Sequence, residues 1–547
     1  MGIAQWIGLA GLVLSGIGIA AAQEASPAGS TETLHTTTQL VVLDATVLDK
    51  KGQIVNVPLG RDDFQIEEDK KPQTIRYFES AAEHSGSAAG DEGSKVPRLI
   101  VVLDELNFTY HGTKNPTQNL MDQFADYTYM RRQLLAYLQA QPEQLLQPTE
   151  VLALTHSGFQ VVSTATRNRN ELIRKVERRD PGLGTPYRDF IEQRQGDGTL
   201  TKGSLQAMWA LALPERAEPG RKIVVWLGYG GPSQALSRPI NARDLPPFLL
   251  YVREVTDLLV DARITLDLIT PGLQTESAAN SDPLAQALAN MSRGPSESDF
   301  GFSSYVHITG GLFKRGNDVA GEIQSSETYG TTYYTLSYSP SNHDLDRSLR
   351  RLKVTVKNHP EWLVLTKEGY YALQYGGEKD FQHQLQADLS IATFEGMPFS
   401  AIEATLMQVE RVKDAYEKDG VTTRFVLDIQ SDDLQWRTDS ATGKREAEVA
   451  VSAAALGKRN APLNSKVGEW KLTEAAASSS DAPLRSTVTL QFRVPPKTER
   501  IRFAVRDIAN GRMGTTQVTE SAIRDAPLYE PDAKPTLQPR PPTPAKQ

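Results

Sequence analysis

The sequence predicts an α/β chain. A central, mostly parallel, Rossmann-like sheet with helices on both faces is flanked by a small amino-terminal β module and a carboxyl-terminal β-sandwich. Three observations predict it. The stretch Arg98-Leu-Ile-Val-Val-Leu-Asp104 is a short apolar run ending in a carboxylate, the pattern of a strand buried on both faces of a parallel sheet. Strand-like and helix-like runs then alternate at the interval of right-handed βαβ units. From 380 onward the runs are strand-like and separated by turn chemistry, which predicts antiparallel pairing.

The elements follow in order. Ile7 to Ala22 is an apolar run closing on Ala20-Ala21-Ala22, with Gln23 next. It reads as a secretory signal over 1–22, too short for an ordinary membrane span. A flexible start over 23–36 leads to the β module at 37–79. Its strands are Thr37–Leu48, Gln53–Val57, Phe64–Glu68 and Gln73–Phe78, with turns at Asp49–Gly52 and Asp69–Pro72. A module this small is marginal alone and should pack on a neighbour. A Ser/Ala/Gly linker over 80–96 precedes the central domain at 97–373.

That domain opens with the strand ending at Asp104. Thr117–Gln141 is an amphipathic helix on Leu120, Phe124, Tyr127, Leu134, Leu135 and Leu138, closed by Pro142 and Pro148. Glu150–Thr155 is a strand, and Phe159–Ser163 follows too closely for a crossover, so it should be an antiparallel edge partner. Asn168–Arg178 and Ser204–Leu213 are helices around an irregular insertion at 180–203. Arg221–Leu227 is a buried-type strand ending at Gly228-Tyr-Gly-Gly-Pro232. Pro247–Ala262 is a helix, Ile264–Ile269 a strand, and a helix near 283–292 leads to His307–Phe313. Tyr333–Tyr338 and Leu352–Lys357 alternate as strands, and Lys367–Tyr371 ends the segment. The sandwich at 380–525 is drawn from Phe425–Ile429, Ala447–Val451, Val488–Phe492 and Arg500–Val505. The tail, 526–547, holds seven Pro and no apolar period, and reads as disordered.

Composition narrows function. The 547 residues carry no Cys, which removes disulfides, thiolate metal sites and thiol catalysis. Eight His leave a metal to rely on oxygen ligands. Net charge is −8 with no Lys/Arg-dense stripe, so nucleic acid is not an expected partner. A membrane partner is expected only if the amino-terminal segment stays uncleaved.

Several residues invite functional readings. Asp104, at the carboxyl end of its strand, sits on the edge where open α/β sheets place ligands. Glu105 beside it should face the other way and read as a solvated loop residue. Gly228-Tyr-Gly-Gly lacks the spacing and Lys of a phosphate loop and reads as a tight turn. His156-Ser157 adjoin in sequence, without a nucleophile elbow, and read as a hairpin turn. Tyr333, Tyr334 and Tyr338 read as sheet packing.

Four further stretches occur together and in order: Val41-Val-Leu-Asp-Ala-Thr-Val with Asp63-Phe-Gln-Ile-Glu-Glu-Asp, Asp122-Gln-Phe-Ala-Asp with Arg131-Arg-Gln-Leu-Leu-Ala-Tyr-Leu, Thr309-Gly-Gly-Leu-Phe, and Tyr333-Tyr-Thr-Leu-Ser-Tyr-Ser-Pro with Lys367-Glu-Gly-Tyr-Tyr-Ala. Ala504-Val-Arg-Asp-Ile-Ala-Asn-Gly-Arg-Met-Gly-Thr comes late in the chain. In these the sequence resembles the VWFA-related secreted proteins described mainly from acidobacteria, which contain a von Willebrand factor type A-like domain. The resemblance spans roughly 37–373 and implies a metal-ion-dependent adhesion site for Mg²⁺, built from Asp-x-Ser-x-Ser, a Thr and a later Asp. Asp104 matches the first Asp and Thr199 the Thr. Leu106 and Phe108 stand at the Ser positions and Tyr229 at the last Asp, while Asn107 and Thr109 are one residue off. The expected metal ligands are therefore Asp104, Asn107 and Thr199, in a degenerate site that is not expected to hold its ion. The expected partner surface is Asp104, Asn107 and Tyr229. The functional expectation is a secreted or periplasmic, non-enzymatic protein-interaction or adhesion scaffold. The alternatives are a metal-dependent hydrolase acting at the Asp104 end of the sheet and a structural cell-envelope component.

Overall fold

The structure, a computed structural model, describes residues 40–85, 96–106, 116–155, 158–179, 199–218, 220–230, 245–271, 302–373, 378–394, 399–412, 420–438, 444–458, 461–473 and 485–529. The expected signal segment, Asn107, His156-Ser157, the helix near 283–292, most of the 180–203 insertion and the tail beyond 529 lie outside them. The described residues form two compact units, one up to 373 and one from Glu378.

The first unit contains strands β1 (Val41–Leu48), β2 (Phe64–Glu68), β3 (Lys71–Gln73), β4 (Ile75–Glu79), β5 (Arg98–Asp104), β6 (Gln144–Thr155), β7 (Gly158–Asn168), β8 (Lys222–Leu227), β9 (Ile264–Pro271), β10 (Phe313–Gly316), β11 (Tyr334–Tyr338), β12 (Leu349–Val356), β13 (Leu363–Leu365) and β14 (Gly369–Tyr371). Its longer helices are α1 (Pro116–Ala140), α2 (Arg169–Arg178), α3 (Thr199–Glu215), α4 (Leu245–Asp261), α5 (Phe302–Ile308) and α6 (Val319–Thr331). Six strands form one sheet in the order β10-β9-β8-β5-β6-β7. Its pairings are parallel except for β6 with β7, the edge hairpin. Leu99, Val101, Leu103, Ile223, Val225 and Leu227 pack with Tyr127, Met130, Leu134 and Leu138 of α1 and with Val319 and Ile323 of α6. Asn168 caps α2 by accepting from Glu171 N at 3.0 Å, and Arg131 closes its other end, Nε donating to Val176 O at 2.9 Å.

The remaining strands of this unit form two antiparallel sheets, β13-β1-β11-β4 and β14-β12-β2-β3. The stretch drawn as a module at 37–79 is therefore not closed on itself. β1 runs beside β11, from Val41 opposite Tyr338 to Ala45 opposite Tyr334, and β2 runs beside β12. Leu43, Ala45, Phe64, Ile66, Leu336, Tyr338, Val354 and Val356 share one core. Glu68, buried in it, accepts from both Tyr338 (2.6 Å) and Tyr370 (2.9 Å) hydroxyls. A partly buried ion pair ties β1 to the start of β9: Arg263 donates to Asp44 from Nε at 3.0 Å and from Nη2 at 2.5 Å. Burial alone would raise the Asp44 carboxyl, but the charge and hydrogen bonds of Arg263, helped by Arg221 and Thr335, hold it below its ordinary value.

The second unit holds helix α7 (Glu378–Phe394) and strands β15 (Ala404–Arg411), β16 (Val421–Gln430), β17 (Arg437–Thr438), β18 (Arg445–Leu456), β19 (Pro462–Thr473), β20 (Arg485–Val494), β21 (Arg500–Asp507) and β22 (Met513–Thr519). All pair antiparallel, in the sheets β15-β16-β20 and β17-β18-β21-β22, with β19 on β18. Inward residues of both sheets, among them Phe425, Phe492, Val451 and Phe503, make the core. The alternate face of β18 carries the small residues Ala450, Ser452 and Ala454, which lets α7 approach: Thr393 donates to Ser452 at 3.1 Å. Arg506 and Asp388 form a buried pair at 2.9 Å, and Arg502 donates to Ala392 O, near the end of α7, at 2.8 Å.

The expected fold class is thereby corrected. Strands outweigh helices among the described residues, most sheets are antiparallel, and parallel strands are confined to one mixed sheet rather than forming a helix-flanked core that organises the chain. The physical reason is range. The βα alternation over 98–316 is local, whereas the pairing of β1 and β2 with strands beyond 333 is set by contacts that no local period reports.

Candidate functional site

The carboxyl edge of the mixed sheet is built on Asp104. β5 and β8 are parallel neighbours with Val102 opposite Trp226, so Trp226 and Asp104 project from the same face of adjacent strands. The indole Nε1 donates to Asp104 Oδ2 at 2.8 Å, and the Leu106 backbone N–H donates to Oδ1 at 3.1 Å. Asp104 and Trp226 are both fully buried. Phe302 and Phe159 meet the Trp226 ring at steep angles, with centroids 4.9 and 6.2 Å away.

Glycine is needed here for close approach. Gly228 has φ +153°, and a Cβ on it would lie 2.6 Å from the Asp104 Cβ. Gly230 has φ +66°, and its Cβ would lie 2.7 Å from the Phe302 ring. Gly228 is also fixed through its backbone: its N–H donates to Ile269 O at 3.0 Å, and its carbonyl accepts from Thr270 Oγ1 at 2.9 Å. The Gly-Tyr-Gly turn is thus a packing device.

Glu105 corrects its sequence reading. It is buried, not solvated, and it is chelated by Arg179 at the end of α2, Nε to Oε1 at 3.0 Å and Nη2 to Oε2 at 2.8 Å. Its partners differ from those of Asp104, as one-apart strand geometry requires. Burial and the Glu105 charge push the nearby Tyr127 phenol well above its ordinary value.

Asp104 is also corrected as a surface residue, since burial leaves nothing of it to meet a partner. Tyr229 is half-buried and its hydroxyl donates to Asp126 Oδ2 of α1 at 2.7 Å. Asn107 and the Thr199 side chain lie outside the described residues, although Thr199 begins α3. The Mg²⁺ site that the resemblance implies is not matched by what is described. Both Asp104 oxygens already accept from N–H groups, Leu106 is buried and apolar, and the Tyr229 hydroxyl is turned to Asp126. Among the described residues no three His, Asp or Glu converge on one point. Of the three expected ligands only the Asp104 side chain is described, and each of its oxygens is engaged by an N–H.

The Thr309-Gly-Gly element braces the far side of the sheet. Thr309 Oγ1 accepts from Leu266 N at 3.1 Å, and Asp267 accepts from Leu312 N at 2.7 Å. A Cβ on Gly311 would sit 2.0 Å from Leu266 O. Sequence reasoning missed Trp226, Arg179 and Asp126 as partners at the edge. One signal was available for the first: a Trp in an otherwise aliphatic buried strand carries an N–H that must find an acceptor.

No protein-family model matches the chain, and no curated protein matches it. Among the described residues no helix is long and apolar enough to cross a membrane.

Proposed function

We propose that this is a secreted or periplasmic, non-enzymatic interaction protein whose partner surface is the carboxyl edge of the mixed sheet, around Tyr229. One observation carries the reading: the Asp104 carboxylate is a buried strut, each oxygen accepting an N–H, that joins the ends of β5 and β8. Tyr229 bonded to Asp126 and Glu105 to Arg179 brace the same edge, an arrangement that favours preorganised recognition. The ordered motifs that resemble VWFA-related proteins support the same class of role, and the apolar run before Gln23 supports export.

The test is site-specific photo-crosslinking in the native envelope. A crosslinking side chain at Tyr229 should capture a discrete partner, and one at the exposed Leu146 of β6 should not. Equal capture from both positions, or reproducible turnover in hydrolase screening that Asp104→Asn abolishes, overturns the proposal.

A further inference from the structure

The hairpin joining β21 to β22 holds the only Asn-Gly step in the chain, Asn510-Gly511. Fully buried Asp507 organises this turn. Its Oδ1 accepts from the N–H groups of Ala509 (2.7 Å) and Asn510 (3.2 Å), and its Oδ2 accepts from Gln435 N at 2.6 Å. Gly511 takes φ +75° and its N–H donates to Asp507 O at 3.0 Å. Asn510 is exposed, and its Oδ1 accepts from Arg512 N at 2.8 Å. That bond closes an Asx-turn, which bends the side-chain amide over the following peptide unit and polarises its carbonyl carbon. The following residue, glycine, has no side chain to shield its nitrogen.

We infer that Asn510 is a site of spontaneous covalent modification, by deamidation through a cyclic imide. The Gly511 nitrogen attacks Asn510 Cγ. A nitrogen–carbon bond forms, the Cγ–Nδ2 bond breaks, and the side-chain nitrogen leaves as ammonia with the proton from the Gly511 N–H. Water then opens the ring at either carbonyl, leaving aspartate or isoaspartate at 510. Nothing is oxidised or reduced, and water is the only co-reactant.

Two consequences follow for the fold. A new carboxylate arrives beside Asp507, and like charges this close repel. The isoaspartate product also lengthens the main chain inside the turn, which breaks the register of the Gly511–Asp507 bond. Because that bond must open before attack, the reaction follows local opening of the hairpin rather than global unfolding. Asn342 is an internal comparison. It forms the same kind of turn, its Oδ1 accepting from Asp344 N at 3.0 Å, but His343 follows it and shields the nitrogen.

The experiment is peptide mapping by mass spectrometry of the folded full-length chain held at mildly alkaline pH, with isoaspartate detected by enzymatic methylation. The Asn510 peptide should show the mass gain of amide-to-acid conversion and accept methyl groups, while the Asn342 peptide stays unchanged. Asn510→Ser should remove both signals. Conversion of the Asn510 amide only in urea that unfolds the second unit, with the folded chain unchanged over a period many-fold longer than the unfolded chain needs, would overturn the inference. So would conversion of Asn342 before Asn510.

Discussion

Asp104→Asn isolates the strut at the sheet edge. The side chain keeps its volume, so no cavity opens. One carboxylate oxygen becomes an NH2 group, and both of its neighbours, Trp226 Nε1 and Leu106 N, are donors only. One hydrogen bond is lost and two donors face each other. A hydrogen bond contributes about 0.5–1.5 kcal/mol net, and a buried donor left unpaired costs about 1–3 kcal/mol. Both partners are fully buried, so the expected destabilisation of the first unit is about 2–3 kcal/mol. Trp226→Phe deletes the indole donor from the other side, and the two substitutions should couple by about 1–2 kcal/mol in a double-mutant cycle. A chain of two units does not unfold as one transition. The assay is therefore hydrogen exchange across 98–106 and 222–228 in increasing urea. A change within about 0.5 kcal/mol for Asp104→Asn, or strict additivity of the two substitutions, refutes the strut. A rise in melting temperature with Mg²⁺ that Asp104→Ala removes would refute the absence of a metal from the proposed function.

Other predictions concern pH and packing. The Asp44 carboxyl is held below its ordinary value in the fold, so its stabilisation is present above the unfolded value of about 3.9 and is lost as pH falls through the folded one. Acid titration of Asp44→Asn should accordingly show a flatter loss of stability below about pH 4 than the unsubstituted chain. Glu150 behaves in the opposite sense: burial, against the charge of Arg98 and with that of Glu215, pushes it up to about 7. Its contribution is present at low pH and lost as pH rises through 7, so Glu150→Gln should melt higher than the parent in alkaline buffer and equal to it in acid. Gly228→Ala should cost about 1–3 kcal/mol or prevent folding of the first unit, seen as lost hydrogen-exchange protection across 98–106 and 222–228, because its methyl meets Asp104 at 2.6 Å. Asp388→Ala should cost about 3–5 kcal/mol in the second unit by leaving Arg506 buried without its carboxylate, and Asp388→Leu with Arg506→Met should restore most of it in urea titration.

Local physics accounts for much that sequence could reach. Leu99 to Leu103 and Ile223 to Leu227 are apolar without interruption because both faces of those strands are covered. The edge hairpin was legible from the few residues between Thr155 and Phe159, too few for a crossover. Gly-Tyr-Gly was legible as a turn because no phosphate-loop spacing accompanies it. Of the site, sequence could place Asp104 at a strand's carboxyl end and Tyr229 just past another.

What only the tertiary structure decided depends on partners distant in the chain. β1 finds β11, and Asp44 finds Arg263, across most of the first unit's length, and that pairing turns an apparent amino-terminal module into part of two antiparallel sheets. The strand-rich class of the whole chain follows from those pairings. Asp104 and Glu105 look alike in sequence, as adjacent carboxylates at a strand end. Trp226 and Arg179, delivered by a neighbouring strand and by the end of a helix, give each its own buried partner. A residue's local pattern determines which way its side chain points; the group it meets there is set by the packing of segments far away in sequence.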